Sequence, residues 1–327
     1  MIRATRVLHT NGTELRRSRL RAAATGAGFL AIVFCYHLIA SEQPFGDWSA
    51  PVNLDAVYDP TRGVNTQFND GCPIESPDGQ MLFLASNRTG TLGMNDLWIA
   101  MRSSDGGSWE DPVNAEAINS TANDFCPSPL PGNRLLFVST RANHCGGSSN
   151  NADIYQTQWH PAHGWLEPQP LGCTVNSGLD EFSPSLVETD GVTMLFFSRG
   201  PNINAHRIFM TTLQPDGTWA EATPVDELNA GPSDARPNVR KDGLEIVFDT
   251  TRGGPNPQIY SATRPTIFDP WSVPQPFPWP INRDDSQQTR ASLSHDGTRL
   301  YFGSNRSGEG SFDIYVATRP GPGSRKK

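Results

Sequence analysis

Five tryptophans recur along this chain at near-constant spacing: Trp48, Trp109, Trp165, Trp219 and Trp271, separated by 61, 56, 54 and 52 residues. Each opens a similar phrase: Trp48-Ser-Ala-Pro, Trp109-Glu-Asp-Pro, Trp165-Leu-Glu-Pro, Trp219-Ala-Glu-Ala-Thr-Pro and Trp271-Ser-Val-Pro. A chain that repeats at one period folds as copies of one unit, and a single copy cannot bury its own apolar face, so the copies must stack. Periods of about 40–50 residues built from short strands point to the blades of a propeller. With 327 residues the chain is long enough for a large core, and the period argues for one closed array rather than two domains.

Aligning the units on their tryptophans exposes four strand-like segments in each. The innermost begins Asp70-Gly-Cys-Pro, Asp124-Phe-Cys-Pro, Glu181-Phe-Ser-Pro, Asp234-Ala-Arg-Pro and Gln288-Thr-Arg-Ala. A turn follows, Asp78-Gly79, Pro131-Gly132, Asp190-Gly191, Asp242-Gly243 or Asp296-Gly297, and Asp-Gly between apolar runs marks a hairpin. The second strand is a short apolar run, such as Met81-Leu-Phe-Leu or Met194-Leu-Phe-Phe, of the kind packed on both faces. The third reads Asp96-Leu-Trp-Ile, Asp153-Ile-Tyr, Arg207-Ile-Phe, Gln258-Ile-Tyr or Asp313-Ile-Tyr, and the fourth is the tryptophan phrase, whose proline suits an outer edge. Gly and Pro number 58, above the usual ~12% of residues, as frequent turns require.

The strand count then sets the topology. Units one to four have all four strands, while the fifth stops after Asp313-Ile-Tyr315. Trp48-Ser-Ala-Pro51 is a fourth strand with no unit of its own. It is expected to complete the fifth blade, giving an all-β, five-bladed β-propeller over residues 41–320 that is closed by its N-terminal strand and has no open sheet edge. The recurring pattern Pro…Asp-Gly…Leu-Phe-x-Ser-x-Arg…Asp-Ile-Tyr resembles the WD40-like β-propeller repeats of bacterial envelope proteins, the TolB-type repeats, over residues 48–320. That resemblance implies a binding or scaffolding protein of the cell envelope and no particular reaction.

The first 40 residues differ from the rest. Six arginines and Glu14 lead into Ala22 to Ala40, which holds no Lys, Arg, Asp or Glu. A basic leader before an apolar stretch is a signal peptide, the favoured reading, or a signal anchor, and either one exports the body to the periplasm or beyond. Contact with membrane is then expected only through this segment if it stays uncleaved. Without it, 20 basic and 33 acidic residues leave a net charge of −13, which disfavours nucleic acid as a partner. Residues 321–327 read as a flexible basic tail. The body's four cysteines allow two disulfides in an oxidising compartment. Cys145–Cys173 is the preferred pair, both residues projecting from one rim. Cys72 and Cys126 occupy the same position in adjacent units and are read as either a second bond or two buried thiols. No Cys-x-x-Cys pair occurs, so zinc is not expected.

Three sets of polar residues recur with the repeat. Arg88, Arg141, Arg199, Arg252 and Arg306 follow the second strand, and pairing with Asp96, Asp153 and Asp313 at the start of the third is expected to fasten the intervening loop. Where that Asp is missing, at Arg207 and Gln258, the arginine would be freer for a ligand. Asn65, Asn119, Asn176, Asn229 and Asn282 are expected to hold the connections between blades. Asp70, Asp124, Asp180, Glu181, Asp234 and Gln288 would face the axial funnel, as scaffold or as a ligand-binding ring. A structural calcium is the one ion their oxygens would suit, and no other cofactor is expected. His160-Pro-Ala-His163 reads as an exposed turn, and the polar loop 141–151 as a recognition element on a rigid scaffold. No phosphate loop, Gly-x-Ser-x-Gly elbow or His-Glu-x-x-His is present. The sequence therefore points to an exported propeller that binds a protein or carbohydrate ligand. The alternative is a glycoside hydrolase or lyase using funnel carboxylates.

Overall fold

The computed structural model describes residues 45–57, 63–104, 106–142, 145–146, 150–308 and 310–323. The leader at 1–40, residues 143–144 and 147–149 of the polar loop, and residues 324–327 of the basic tail lie outside the described residues.

Five antiparallel sheets form the five blades. The first runs from the innermost strand Asp70–Glu75 through Met81–Ser86 and Asp96–Met101 to the outer pair Val113–Asn114. The second uses Asp124–Leu130, Arg134–Ser139, Asp153–His160 and Gln169–Pro170. The third uses Asp180–Thr189, Val192–Gly200, Arg207–Thr212 and Thr223–Pro224. The fourth uses Asp234–Val239, Glu245–Thr250, Gln258–Thr263 and Gln275–Pro276. The fifth uses Gln288–Leu293, Arg299–Ser304 and Asp313–Thr318, and its outer strand is Val52–Asn53 from the other end of the chain.

The ring therefore closes as the strand count requires, with Val52 opposite Val316 and Asn53 opposite Tyr315. Side chains reinforce the seam. Glu75 of blade one, buried, takes Arg299 of blade five at 2.9 Å and the Tyr301 hydroxyl at 2.7 Å, as well as its own blade's Arg102 at 2.6 Å. Asn65 accepts from the Ile314 amide at 2.7 Å and donates to the Ile314 carbonyl at 3.0 Å. The same amide-to-strand bracket recurs from Asn119 to Leu97, Asn176 to Ile154, Asn229 to Ile208 and Asn282 to Ile259. One short polar side chain thus satisfies a buried strand amide and carbonyl at every blade junction, which is why it repeats.

The apolar second strands bury almost completely between blades, with Leu82, Leu84, Leu135, Phe137, Leu195, Phe197, Ile246 and Phe248 at 3% exposure or less. In four of the five units the tryptophan phrase precedes the outer strand, and in the third only its last two residues, Thr223 and Pro224, form it. The outer pairs begin four residues after each tryptophan, and at Trp109, Trp271 and Trp48 the ring packs under an arginine from the end of the third strand, whereas Trp165 meets Trp159 and Trp219 lies opposite Leu213. Arg102 lies 3.9 Å from the Trp109 ring, Arg264 4.2 Å from Trp271, and Arg319 4.4 Å from Trp48. Such a contact uses the aromatic face electrostatically and gives tryptophan a packing role at those three positions. In the Asp-Gly hairpins, Gly79 sits at φ +70° while Asp78 accepts from the Gln80 amide at 3.0 Å.

The preferred disulfide is formed, and so is the one left open. Cys145–Cys173 joins Cα atoms 5.3 Å apart, and Cys72–Cys126 joins blades one and two with Cα atoms 4.8 Å apart. The open alternative at Cys72 and Cys126 resolves to a bond because the innermost strands converge at the axis.

Candidate functional site

The recurring arginines and the acidic residues that start the innermost strands were read separately from the sequence, but they are partners of one another. Arg88 meets Asp70 at 2.6 Å, Arg141 meets Asp124 at 2.8 Å, Arg199 meets Glu181 at 2.8 Å, and Arg252 meets Asp234 at 2.5 Å. Each guanidinium also donates to a carbonyl of the connection entering its blade: Val64, Ile118, Val175 or Leu228. All four carboxylates have 0% exposure. The expected pairing with the third strand does not occur: Asp96 instead accepts from the Leu92 and Gly93 amides. Asp180 sits one position earlier and accepts from the Ala152 amide at 3.0 Å. Gln288 cannot supply a charge, so blade five has no carboxylate in its clamp. Arg306 holds the Ile281 carbonyl at 2.6 Å, and burial pushes its guanidinium down, to about 10. Arg199 and Arg252, expected to be freer because Arg207 and Gln258 replace the third-strand Asp, are instead held by Glu181 and Asp234, and Arg207 itself donates to the Gly231 carbonyl and lies 3.6 Å from Asp234.

This ring was expected to face the funnel, yet its side chains lie between the blades, and of its members only Asp70 reaches the funnel wall. Side chains alternate along a strand, so a position misjudged by one residue changes face. The axial face is carried by the neighbours. One position earlier stand Asn69, Asn123, Ser233 and Gln287, and one position later Gly71, Phe125, Phe182, Ala235 and Thr289, all lining an axial cavity of about 570 Å³.

The innermost strands share a further device that the repeat pattern does not reveal. Every innermost strand carries a bulge, two residues opposite one, between Gly71 and Ile74, Phe125 and Ser128, Phe182 and Ser185, Ala235 and Asn238, and Thr289 and Ser292. The first bulged residue has positive φ each time: Cys72 (49°), Cys126 (47°), Ser183 (51°), Arg236 (53°) and Arg290 (57°). The scaffold asks only for that backbone, which glycine would adopt without strain. Five larger residues hold it instead, and their side chains converge near the axis as a cystine, a hydroxyl and two cations. The sequence signal is the residue before Pro73, Pro127, Pro184, Pro237 and Ala291, which varies from unit to unit while its neighbours repeat.

Blade four breaks the symmetry furthest. On the second strand, opposite the residue before the bulge, the blades carry Ala85, Val138, Ser198, Asp249 and Gly303. Asp249 is 2% exposed and takes Arg236 at 2.7 Å through one oxygen and the Arg290 backbone amide at 2.9 Å through the other. The Arg290 guanidinium bonds the Thr289 hydroxyl at 3.3 Å, and no carboxylate pairs with it among the described residues. Burial and the neighbouring Arg236 cation push Arg290 down, to about 9, against the pull of Asp249, which leaves it charged at neutral pH. Beside them His206 is fully buried, packs against Phe182 with ring centroids 4.6 Å apart and the planes tilted by 31°, and has Nδ1 3.1 Å from the Ser198 hydroxyl. Burial followed by the Arg236 charge lowers its pKa to about 4, so the ring is neutral at pH 7. Burial also lifts the Glu181 carboxyl, to about 7, against Ser177 and Arg199.

No group of three or more His, Cys, Asp or Glu side chains suited to a metal occurs among the described residues, and the Asp70 and Asp124 oxygens that could suit calcium accept from arginines and backbone amides. His160 and His163 are exposed and stacked on each other at 4.8 Å. Among the described residues no helix is long and apolar enough to cross a membrane.

No family model matches the chain, and no curated protein matches it. Solved structures do. An α-L-arabinofuranosidase from Lactobacillus brevis superimposes with a TM-score of 0.56 at 11% identity, covering 82% of this chain and 94% of that one. A thermostable family-43 glycoside hydrolase gives 0.53 at 15% identity, covering 82% and 99%. TolB from Acinetobacter baumannii gives 0.42 at 16% identity, covering 76% and 54%. At these identities the likeness concerns the fold. The envelope-repeat resemblance read from the sequence is accordingly supported as a five-bladed propeller and not as a family.

Proposed function

We propose that this propeller takes a carbohydrate in its axial funnel and works outside the cytoplasm. The observation that carries this is the make-up of the cavity wall. Asn69, Asn95, Asn123, Asn204 and Gln287 offer amides that both donate and accept, and Phe125, Phe182 and Phe312 offer flat apolar faces. Sugars present the complementary pattern, hydroxyl edges and apolar C–H faces, and a concave site with a few convergent polar groups can hold them. Two disulfides fit an oxidising compartment and agree with export.

Glycoside hydrolysis is the second reading, and the likeness to arabinofuranosidase and family-43 folds supports it better than a protein-binding scaffold. Against it stands the state of the carboxylates. Hydrolysis needs two carboxyl groups beside the scissile bond, one of them able to give up a proton. The two carboxylates on the cavity wall, Asp70 and Asp249, are each bound to an arginine and at most 2% exposed.

Calorimetric titration with neutral and acidic oligosaccharides tests the reading, with product analysis on the same mixtures. Saturable binding that is weakened by Phe182→Ala supports it. Absence of binding across the panel refutes it, and turnover abolished by Asp249→Asn would establish hydrolysis instead.

A further inference from the structure

Charge in the cavity is unbalanced. Four charged side chains line it: Asp70, Arg236, Asp249 and Arg290. Asp70 is spent on Arg88 and Asp249 on Arg236, which leaves Arg290 as a surplus cation. It stands in a wall otherwise made of amides, hydroxyls and phenyl rings, and the Phe312 ring lies 6.0 Å from its guanidinium carbon. A partly buried cation has lost part of its water without gaining a counter-ion, so an anion entering the cavity restores what burial removed.

The placement of the two arginines is also costly. A non-glycine residue at positive φ costs roughly 1–3 kcal/mol, and such outliers gather where a side chain is used. The bulge makes the same demand in all five blades, yet only blades four and five put arginine there. In a repeat protein, features required by the scaffold recur, whereas ligand contacts break the symmetry. Arg236, Asp249 and Arg290 break it together on adjacent blades.

We infer that the funnel selects sugars bearing an acidic group, a carboxylate or a sulfate, with Arg290 pairing the anion through its planar fork and the Arg236–Asp249 pair holding that arginine in place. The inference rests on the carbohydrate reading and narrows it. The same argument gives Asp249 a positioning role, since it fixes the Arg290 backbone and its charge is already neutralised by Arg236.

The test uses oligogalacturonate, its methyl ester and a sulfated galactose oligosaccharide, titrated into the full chain at low and at 0.5 M salt. The acid is expected to bind about 10- to 100-fold more tightly than its ester, the span of one charge-assisted hydrogen bond, and to lose most of that advantage in high salt. A comparable advantage for the sulfated oligosaccharide would identify sulfate as an equal source of the anion. Arg290→Gln should abolish the difference between acid and ester, and Arg290→Lys, which keeps the charge and loses the fork, should retain part of it. Unchanged denaturation midpoints for both variants exclude misfolding as the cause. Equal affinity for acid and ester in the native protein overturns the inference and leaves the carbohydrate reading standing. If neither these nor neutral arabino- and xylo-oligosaccharides bind, both fall.

Discussion

Replacing Asp70 by Asn separates the scaffold role of the clamps from a ligand role. Asp70 is fully buried and accepts from the Thr66 amide at 2.6 Å, the Thr66 hydroxyl at 2.8 Å and Arg88 at 2.6 Å. Asparagine keeps the shape and one acceptor oxygen, so the Thr66 bonds can survive. What disappears is the charge facing Arg88, a charge-assisted bond of about 1.5–3 kcal/mol. Arg88 would keep the Gly63 and Val64 carbonyls and the Trp98 face 5.2 Å away, which softens the usual ~3–5 kcal/mol cost of orphaning a buried ion. Blade five shows that a clamp without a carboxylate can be accommodated, since Arg306 holds the Pro280 and Ile281 carbonyls and the Ser304 hydroxyl. The expected loss is therefore about 2–3 kcal/mol for Asp70→Asn. Asp70→Ala, which also strands the Thr66 amide, should lose about 4–5 kcal/mol. The first corresponds to a fall in Tm of roughly 5–8 °C, read by calorimetry and by urea titration at pH 7. A change below about 0.5 kcal/mol together with loss of oligosaccharide binding would refute the scaffold assignment and place Asp70 in the ligand site.

Four further outcomes follow from the same geometry. His206 is held neutral, with its pKa lowered from 6.5 to about 4, so the folded state binds fewer protons than the unfolded chain between those values. Its contribution is present above pH 6.5 and lost as pH falls through 4; His206→Phe should remove about 3 kcal/mol of acid sensitivity in a urea series, and an unaltered pH profile would count against this. Glu181 runs the other way: its pKa is raised to about 7, so its contribution is present below pH 4.5 and fades as pH rises through 7, a slope that Glu181→Gln should flatten. The Cys145–Cys173 bond closes a separation of 28 residues, and Cys145→Ser with Cys173→Ser should lower stability by up to about 4 kcal/mol in unfolding titrations, whereas no change would mean the bond constrains little of the unfolded chain. Leu54, fully buried just after the closing strand, should lose about 2–5 kcal/mol on truncation to Ala, and a neutral result would argue that the closing strand is dispensable to the ring.

The five tryptophans, the Asp-Gly hairpins and the unpaired Trp48 phrase were sufficient to count blades and close the ring, because each reports on local geometry or on strand number. A hairpin turn is decided by two or three residues, and a missing strand is visible as an omission from a period. The asparagines were legible for the same reason: one residue per junction, always performing the same backbone bonds.

Partners and faces were a different matter. Arg88 and Asp70 are 18 residues apart in sequence, and nothing local distinguishes that pairing from Arg88 with Asp96, eight residues away. The inward face of the innermost strand depends on parity, and a bulge in every blade shifts parity in the middle of the strand. The acidic ring consequently belongs to the blade junctions, and the funnel belongs to residues beside it. From its sequence alone this protein is determined as a closed ring of five four-stranded blades, since repetition and strand alternation act over a few residues. Only tertiary structure decides that Arg236, Asp249 and Arg290 meet at the axis, because that meeting depends on bulges in two adjacent blades turning the two arginines toward the second-strand Asp249.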